Sequence, residues 1–577
     1  MRNEKLLLSI LEAAIKEKPE TAKELQRIKN RFSGKLESYS ASNYELNKFY
    51  QELVKKNLLK DNSELKKLIK KRTVRSISGV AIITVLTKPY PCPGKCVFCP
   101  NEKGMPKSYL SNEPAAMRAL LNDFDPVKQI EKRLTSLKNQ GHPTDKIELI
   151  VLGGTFSFYP KRYQKNFIRK CFNALNEGKP EKSLNKAQKK NETALHRVVG
   201  LSLETRPDFV TKDEVRWLRE LGCTKIQLGV QHLDNEILKY VKRGHLKEDS
   251  IRAIKLARDA GLKICLHIMP NLPGSTPEKD LNVFKELFES QDFRPDYLKI
   301  YPCSVTPFSE LEKWFKKGKY KSYPYEELKK LIVKIKGLIP EYVRIERLVR
   351  DIPGESILEG SRVTNLRQEL QREYPNMKCR CIRCREIKGT EIDTGKLEFK
   401  IQEFEASNGK DFFLSYNQTV RSDSGAPYYK PFCESKTQND KICSLLRLRF
   451  PSSDQVMPEI DPSTTSIIRE VHTYGMQLEI DNESRGEAQH IGLGKKLILK
   501  AEEISLKNGY KKIAVISSIG TREYYKKLGY KLEGTYMMKN LLIKRPIGQP
   551  PFGNQAWCWQ KQYHFLHLYI LLPIRHT

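Results

Sequence analysis

The segment Cys92-Pro-Gly-Lys-Cys96-Val-Phe-Cys99 places three cysteines on one short loop, at C-x3-C-x2-C spacing. It closely follows Val80–Leu86, a run of aliphatic and β-branched residues that predicts a strand. A loop this short forces the three sulfur atoms to converge. Three thiolates can hold three irons of a 4Fe–4S cube and leave the fourth iron open to another ligand. A zinc knuckle lacking one ligand is the alternative explanation of the spacing.

Downstream of this loop, short apolar runs alternate with amphipathic segments. Strands are predicted at Ile147–Leu152, Val198–Leu203, Lys225–Gly229, Lys263–Met269 and Tyr297–Tyr301. Helices are predicted between them, for example at Lys212–Leu221, Ser250–Ala260 and Pro277–Glu289. This alternation indicates βα units around a parallel sheet. The polar, lysine-rich stretch Asn176–Thr193 is expected to be a surface loop or a helical insertion.

A glycine-bearing loop marks a second α/β region near the C-terminal end. Gln489-His-Ile-Gly492-Leu493-Gly494-Lys495 precedes an amphipathic helix, Lys496–Asn508, and a strand at Lys512–Ser517. Glycines let a backbone approach a pyrophosphate, and the following helix N-terminus directs amides and a favourable dipole toward it. A second glycine turn, Gly153-Gly154-Thr155, closes the strand predicted at Ile147–Leu152.

Another three cysteines lie within six residues, in Cys379-Arg-Cys381-Ile-Arg-Cys384. The arginines around them would stabilise thiolate charge. A closed structural zinc site needs four ligands, and the spacing does not reveal the fourth. A second iron–sulfur cluster is the alternative. The remaining isolated cysteines are taken as core or surface residues.

Composition favours a polyanionic partner. Lys and Arg number 103 against 69 Asp and Glu, a formal charge of +34, which promotes phosphate contacts and counterion release. Residues 1–75 look helical and carry 19 Lys and Arg against 10 Asp and Glu. A lysine-rich composition without nucleic-acid binding is the alternative. No signal peptide or membrane span is evident, and 13 cysteines favour a reducing, cytoplasmic location.

The cysteine spacing after the first strand of a βα series resembles radical S-adenosylmethionine (SAM) enzymes, and the glycine loop resembles the GNAT acetyltransferases. At a closer level, residues 75–543 resemble the family of the Elongator catalytic subunit. The stretches that carry this resemblance are Tyr90–Pro100, Met105–Leu110, Glu113–Arg118, Leu152–Phe156, Glu204–Asp208, Gly229–Gln231, Lys242–His245, His267–Pro270, Leu272–Thr276 and Lys299–Tyr301. His232 and Cys303 depart from the family pattern, where Ser and Thr are expected.

The resemblance implies cofactor sites residue by residue. It implies a 4Fe–4S cluster on Cys92, Cys96 and Cys99, and SAM bound by Gly153, Gly154, Glu204, Arg206 and Gln231. It implies acetyl-CoA at Glu470, Val471, His472, Thr473, Gln489, Gly492, Leu493, Gly494, Lys495, Tyr524 and Tyr525. Lys146 is the family's acetyl-CoA-linked lysine in the radical domain, and Lys146 and Tyr525 are the implied catalytic residues. Zinc on Cys379, Cys381 and Cys384 is implied between the two domains.

The implied fold class is α/β: a radical SAM partial βα barrel, then a GNAT-type domain, with a basic helical N-terminal region. The predicted domains are a tRNA-binding region at 1–75, a radical SAM domain at 76–370, a zinc linker at 371–394, an acetyltransferase domain at 395–543 and an atypical tail at 544–577. A radical becomes necessary when an unactivated C–H bond, such as that of an acetyl methyl, must be broken.

The implied reaction is carboxymethylation of C5 of the wobble uridine in tRNA, from acetyl-CoA. The implied partner is the anticodon stem–loop, presented unstacked. A homodimer or Elongator-type subunits are further partners to consider, and no membrane partner is expected. Two alternatives are a protein lysine acetyltransferase with a structural cluster and a non-catalytic RNA-binding scaffold.

Overall fold

The structure, a computed structural model, describes residues 2–33, 41–69, 79–387, 392–419, 440–475 and 492–541. These residues form a helical N-terminal bundle and two seven-stranded sheets. The predicted fold class, a partial βα barrel followed by a second α/β domain after a helical region, is confirmed. Gln489 and the tail at 544–577 lie outside the described residues, so the predictions made for them stay predictions.

The N-terminal bundle has an apolar core of its own, in which Ile10, Leu11 and Leu46 are fully buried. Ser42 and Glu45 form a reciprocal capping box at the start of its third helix. Asn47 on that helix donates through Nδ2 to the carbonyl of Asn139 at 2.8 Å, which fixes the bundle to the first sheet domain. The helices are α1 (Arg2–Glu17), α2 (Ala22–Ser33), α3 (Asn43–Lys55) and α4 (Ser63–Ile69).

The first sheet is entirely parallel, and its strands lie side by side in chain order. All of the strands predicted from the apolar runs are present in it. The last strand was not predicted, because its four residues, Arg344-Ile-Glu-Arg347, carry three charges. The strands are β1 (Ala81–Leu86), β2 (Lys146–Leu152), β3 (Arg197–Thr205), β4 (Lys225–Gln231), β5 (Lys263–Ile268), β6 (Tyr297–Ile300) and β7 (Arg344–Arg347).

Helices connect these strands and cover the sheet. They are α5 (Pro114–Leu120), α6 (Pro126–Asn139), α7 (Lys161–Leu175), α8 (Leu184–Asn191), α9 (Lys212–Glu220), α10 (Asn235–Tyr240), α11 (Lys247–Asp259), α12 (Pro277–Glu289), α13 (Glu310–Lys316), α14 (Tyr325–Leu338) and α15 (Leu366–Glu373). Helix α11 begins three residues before the predicted start, because the Asp249 carboxylate accepts a hydrogen bond from the Leu246 amide at 2.9 Å and caps it there. Among the described residues, no helix is both long and apolar enough to cross a bilayer.

The second sheet is mixed, with the order β13-β14-β12-β11-β10-β9-β8. Its only parallel pair is β11 with β12, and they pair only from Thr465 to Ile468 on β11. After Ile468 the two strands separate, so one edge of β11 has no strand partner within the described ranges. The elements are β8 (Leu397–Ala406), β9 (Gly409–Thr419), β10 (Asp440–Phe450), β11 (Thr465–Thr473), α17 (Leu493–Lys507), β12 (Lys512–Val515), α18 (Arg522–Lys527), β13 (Lys531–Glu533) and β14 (Tyr536–Asn540).

A buried network of ion pairs joins the two sheet domains. Arg449 on β10 binds Asp259 of the first domain at 2.6 Å and Asp411 of its own sheet at 2.8 Å. Arg258 of the first domain reaches the same Asp411 at 2.7 Å, and Arg469 on β11 binds Asp296 through both oxygens. These side chains are at most 5% exposed. Removal of one partner would leave a buried charge uncompensated, so the network fixes how the domains meet.

Candidate active site

The Cys92–Cys99 loop lies at the carboxyl ends of the parallel strands. The Val97 amide donates to the carbonyl of Val241 at 3.1 Å, and the Val97 carbonyl accepts from the Leu311 amide at 2.8 Å. Cys96 is buried, whereas Cys92 and Cys99 are half-buried. The loop is therefore anchored at its centre and leaves two thiols accessible from the barrel.

Positive charge surrounds these thiols. The Arg243 guanidinium lies 3.4 Å from Cys96 Sγ, and a hydrogen bond from Cys99 together with the charges of Arg243 and Arg206 lowers the pKa of Cys96 well below its usual value. Arg206 Nη1 is buried and has no hydrogen-bond partner among the described residues. A cluster on thiolates is negatively charged, so two guanidinium groups and an unsatisfied donor beside the loop fit a 4Fe–4S cluster.

The residues expected to bind SAM lie around this loop. Gly153 and Gly154 have φ angles of 136° and 88°, and a Cβ on Gly153 would collide with Thr87. The next residue, Thr155, has its hydroxyl 3.8 Å from Cys92 Sγ. Gln231 ends β4 in a left-handed conformation, φ 74°, with its Oε1 buried and unpartnered within the described part of the chain. A strained residue with an unsatisfied side chain at this position is typical of a ligand site.

Glu204 lies on the same wall of the barrel. Its Oε2 accepts a hydrogen bond from the Tyr109 hydroxyl at 3.0 Å, and its Oε1 lies 3.6 Å from His267 Nδ1. Burial and the charge of Lys299 lower the pKa of His267 well below its usual value.

One cavity of about 1120 Å³ runs through the interior of the barrel. Cys99, Glu204 and Gln231 line it at the carboxyl ends of the strands, and Glu470 and His472 of β11 line it at the opposite end. The cavity thus extends from the cysteine loop to the barrel-facing side of β11, whereas the alternate residues Val471 and Thr473 lie near Gly494 on the other side of that strand. No single motif in the sequence indicates this connection.

Alternating charges cross the middle of the cavity. Lys225 Nζ lies 2.5 Å from Glu148 and 2.9 Å from Glu346, and Lys299 hydrogen-bonds Gln227. Burial opposes ionisation of Glu346, but the charges of Lys225 and Lys299 hold its pKa at about 2. The barrel interior therefore keeps fixed, compensated charges, which can bind polar groups without reorganisation.

Four of the residues expected to bind acetyl-CoA, Val471, Thr473, Gly494 and Tyr524, meet at the divergent edge of β11. A Cβ on Gly494 would lie 3.5–3.6 Å from the Tyr524 hydroxyl, Thr473 Oγ1 and Val471 Cγ1. Gly492 has φ 71° and caps α17, whose first residues are Leu493, Gly494 and Lys495. An unpaired strand edge beside a 15-residue helix N-terminus offers backbone hydrogen bonds to an extended arm and amides to a phosphate.

Three other predicted residues have different environments. Tyr525 is 7% exposed and packs in the core of the second domain, whereas the neighbouring Tyr524 is 44% exposed and faces Gly494. Glu470 binds Arg447 at 2.8 Å, and despite burial the charges of Lys263 and Arg447 hold its pKa at about 2. Lys146 lies half-buried at the start of β2, where it is paired in register with Arg197, and burial lowers its pKa.

The second cysteine group is compact and buried. The sulfurs of Cys379, Cys381 and Cys384 lie within 4.8 Å of one another, and each residue is at most 6% exposed. Within the described ranges no fourth His, Cys, Asp or Glu joins this group. Three close, buried thiols can serve as ligands of a single ion such as zinc.

The segment with these cysteines connects the two sheets. The amide of Ile382 donates to the carbonyl of Val343 at 3.0 Å, and the amide of Ile387 donates to that of Ile442 at 2.9 Å. It includes the short helix α16 (Ile382–Arg385). The arginines next to these cysteines pair with a carboxylate: both Arg380 and Arg385 bind Glu341. Lys336 of α14 lies 3.9 Å from Cys384 Sγ instead.

Several site residues were not predicted from the sequence. Arg243 belongs to the quoted Lys242–His245 stretch, but nothing in that stretch indicates that it contacts Cys96. Lys225, Lys299 and Glu346 come from three different strands, and only the pairing of the strands brings them together. Lys336 lies in an ordinary amphipathic helix. A charged residue inside an apolar strand, as at Lys299 in β6, is the one available signal.

Comparisons with known proteins agree with this geometry. Residues 90–287 match the radical SAM superfamily, and residues 295–375 match the radical SAM C-terminal domain. This superfamily implies SAM and a 4Fe–4S cluster as cofactors. The donor set and charges around Cys92, Cys96 and Cys99 fit that implication.

Relatives match over most of the chain. The tRNA uridine(34) acetyltransferase of Methanocaldococcus infernus is 41% identical over 560 residues, which cover 93% of this chain and 100% of the relative. The Elongator complex protein 3 of Danio rerio is 35% identical and covers 82% of this chain and 86% of the relative. The solved structure of the archaeal Methanocaldococcus infernus Elp3 with an N-terminal deletion has a TM-score of 0.68 and 39% identity, covering 80% of this chain and 100% of that one. The chain therefore belongs to the family of the tRNA uridine(34) acetyltransferases and Elongator complex protein 3.

Proposed function

We propose that this chain is a tRNA-modifying enzyme that carboxymethylates C5 of the wobble uridine 34, using a 5′-deoxyadenosyl radical and acetyl-CoA. Its relatives are named for acetyltransferase action on that uridine or as an Elongator subunit. The observation that carries the proposal is the continuous cavity between the cysteine loop and β11. An ordinary acetyltransferase needs no radical, so a shared cavity supports one reaction that uses both ends.

At the cysteine end, this chain's residues hold and orient the cofactors. Cys92, Cys96 and Cys99 are the ligands of the 4Fe–4S cluster, and Arg243 compensates its charge at 3.4 Å from Cys96. Gly153 and Gly154 admit SAM without a Cβ clash, while Glu204, Arg206 and Gln231 supply polar contacts. When bound, the cluster and SAM supply a radical able to break an unactivated C–H bond.

At the opposite end, the divergent edge of β11 binds the acetyl donor. Residues Glu470–Thr473 offer backbone groups to the pantetheine arm, and the N-terminus of α17 at Gly492–Lys495, with Gln489, receives the pyrophosphate. Tyr524, with Tyr525 behind it, lies beside the thioester. Lys146, whose pKa burial lowers, holds the donor from the side of the barrel.

The barrel interior holds charged side chains in fixed pairs. Lys225, Lys299 and Glu346 are paired within the cavity, so the polar atoms of a thioester or uridine meet preorganised partners. The zinc proposed on Cys379, Cys381 and Cys384 has a structural role where the two sheets meet. No step of the reaction needs it.

The basic surface is proposed to bind the anticodon stem–loop of tRNA. The formal charge of +34 favours phosphate contacts, and the N-terminal bundle is positioned by its hydrogen bonds to α6. The target base enters the cavity unstacked. We also propose a cytoplasmic location, and either a homodimer or Elongator-type subunits as the assembly.

The test is reconstitution of the full chain with iron and sulfide under anaerobic conditions. SAM, acetyl-CoA labelled in the acetyl group, a one-electron reductant and a tRNA transcript are then added. We expect labelled carboxymethyluridine at position 34, and SAM cleavage that depends on the tRNA. Label on protein lysines with no label in tRNA would contradict the proposal and favour a protein acetyltransferase.

A further inference from the structure

Three exposed or half-exposed aromatic side chains form a platform outside the main cavity. We define the aromatic platform as Tyr240, Phe308 and Trp314. Phe308 is 58% and Tyr240 52% exposed, and the rings of Tyr240 and Trp314 are 5.2 Å apart between centroids. Isolated exposed apolar residues are common, but three aromatics lining one hollow indicate a binding surface.

The platform lies next to the main cavity. Pro100 and Thr306 line the cavity, and Asn101 and Phe308, which follow them by one and two residues, line the hollow of the platform. The Asn101 amide donates to the Phe308 carbonyl at 3.0 Å, which joins the two segments that separate the hollows. A chain whose one residue enters the cavity could therefore rest a neighbouring residue on the platform.

Phe308 is held outward by a strained backbone. Its φ is 65°, a left-handed conformation that is unfavourable for a bulky residue and occurs mostly where it serves a function. Its amide donates to Glu312 Oε2 at 3.1 Å, which helps to maintain this conformation. An exposed aromatic ring on a strained backbone adds little to folding, so its role is sought in binding.

The charges around the platform favour a polyanion. Lys313, Lys317 and Lys319 are exposed and line the same hollow. Two carboxylates also line it, but Glu310 pairs with Lys242 at 2.6 Å and Glu312 pairs with Lys316 at 2.7 Å. Aromatic rings next to lysines are the combination that binds single-stranded nucleic acid, by stacking on bases and attraction to phosphates.

We propose that the aromatic platform stacks an unpaired base of the substrate RNA next to the nucleotide that enters the cavity. This inference rests on the proposed function and adds a subsite to it. The flanking base, once stacked, fixes the backbone on one side of the target nucleotide. The platform would then contribute to the choice of RNA loop, because stacking requires an unpaired neighbour.

The experiment measures the affinity of the full chain for an anticodon stem–loop RNA by fluorescence anisotropy. Phe308→Gly removes the ring and relieves the left-handed strain, whereas Phe308→Ala removes the ring and keeps the strain. We expect both variants to weaken binding roughly tenfold, within the range for loss of one base–aromatic stack. Phe308→Trp keeps an aromatic ring at this position and should bind the RNA with wild-type affinity. Phe399→Ala, which removes a half-exposed ring from the distant strand β8, leaves affinity unchanged.

The second measurement uses stem–loops with an abasic nucleotide on either side of the target. If the inference holds, one of these two RNAs binds wild type and Phe308→Gly with the same affinity. That RNA lacks the base that would stack on Phe308, so loss of the ring has no further effect. Unchanged affinity of Phe308→Gly for the intact RNA overturns the inference. A second result would also overturn it. If reduced flavodoxin, a protein, reduces the cluster of Phe308→Gly more slowly than that of wild type while dithionite, a small molecule, reduces both equally, the platform is a protein-docking surface. Binding is measured without turnover, so failure of the proposed reaction would leave these results readable.

Discussion

The two cysteine groups differ in exposure although each has three thiols within a short segment. Cys92 and Cys99 are half-buried on an irregular loop that faces a large cavity, whereas Cys379, Cys381 and Cys384 are all at most 6% exposed. The first group lies at the carboxyl ends of parallel strands, where ligand sites are common in such folds. The second lies in a segment bonded to both sheets. Accessibility, rather than the number of thiols, is the difference between the two groups on which their proposed roles depend.

A buried cation accompanies each group, and these cations differ as well. Arg243 donates to Cys96 and also to the carbonyl of Gly229 at 2.6 Å, so its position is fixed by two contacts. Lys336 lies 3.9 Å from Cys384, and although burial opposes its charge, Cys379 and Cys384 raise its pKa. A fixed planar guanidinium suits a cofactor that changes charge, and a single ammonium suits a permanent thiolate charge.

The largest effect is expected for Cys96→Ser. Loss of one of three ligands removes the cluster, so SAM cleavage and tRNA modification should fall to background. Acetyl-CoA affinity should stay at the wild-type value, because the group of Val471, Thr473, Gly494 and Tyr524 at the divergent edge of β11 is separate from the cysteine loop. Iron content, 5′-deoxyadenosine release and acetyl-CoA binding by calorimetry measure the three quantities. Tm within a few degrees of wild type is the control for folding.

Residual tRNA modification by Cys96→Ser would contradict the assignment of Cys92, Cys96 and Cys99 as the ligands of the cluster. A loss of acetyl-CoA binding together with the cluster would contradict the independence of the two sites, because it would show that they fold as one unit.

The next largest effect is expected for Cys384→Ser, and it concerns stability. Loss of a ligand from a buried structural zinc site should lower the free energy of unfolding by several kcal/mol, since metal binding is part of the folding free energy. Denaturant unfolding and zinc content by mass spectrometry measure this effect. If purified Cys96→Ser protein still contains iron and no zinc, Cys379, Cys381 and Cys384 hold a second iron–sulfur cluster. The proposed difference between a cluster site and a zinc site would then be wrong.

The sequence predicts the cysteine groups and most strands well, because both depend on local patterns. Spacing alone identifies Cys92, Cys96 and Cys99, and apolar runs identify β1 to β6. The strand β7 was missed because Arg344 and Glu346 face a polar cavity instead of an apolar core. Its recognition requires knowledge that the sheet curls around charged side chains.

The cavity, in contrast, depends on long-range contacts. Tyr297 of the first sheet hydrogen-bonds Glu470 of the second, 173 residues later. The same limit applies to Tyr524 and Tyr525, which are adjacent in sequence and face opposite environments. Which of two neighbouring side chains faces the cleft is set by the packing of α18, and no periodicity in six residues reveals it.

A smaller effect is expected for Arg243→Gln. Loss of the positive charge should make the cluster harder to reduce, because a reduced cluster carries one more negative charge. Activity should fall roughly 10- to 100-fold, the usual cost of losing a residue that supports a metal ligand. Redox titration followed by electron paramagnetic resonance should show a more negative midpoint potential, and Arg243→Lys should recover part of it. The matched variant Lys336→Gln, next to Cys384, should change neither the activity nor the midpoint potential of the cluster.

The smallest effect is expected for Gly94→Ala, which tests how closely Arg206 packs against the Cys92–Cys99 loop. The added methyl would meet Arg206 Nη1, at the end of a flexible side chain, and would approach Cys96 Sγ to 3.5 Å. Gly94 has no left-handed φ, so the backbone tolerates alanine and only the guanidinium must move. Because Arg206 is a proposed SAM contact, we expect the Kd for SAM to rise severalfold while iron content and Tm stay unchanged. An unchanged Kd would show that Arg206 does not contact SAM and that its role is confined to charge compensation near Cys96.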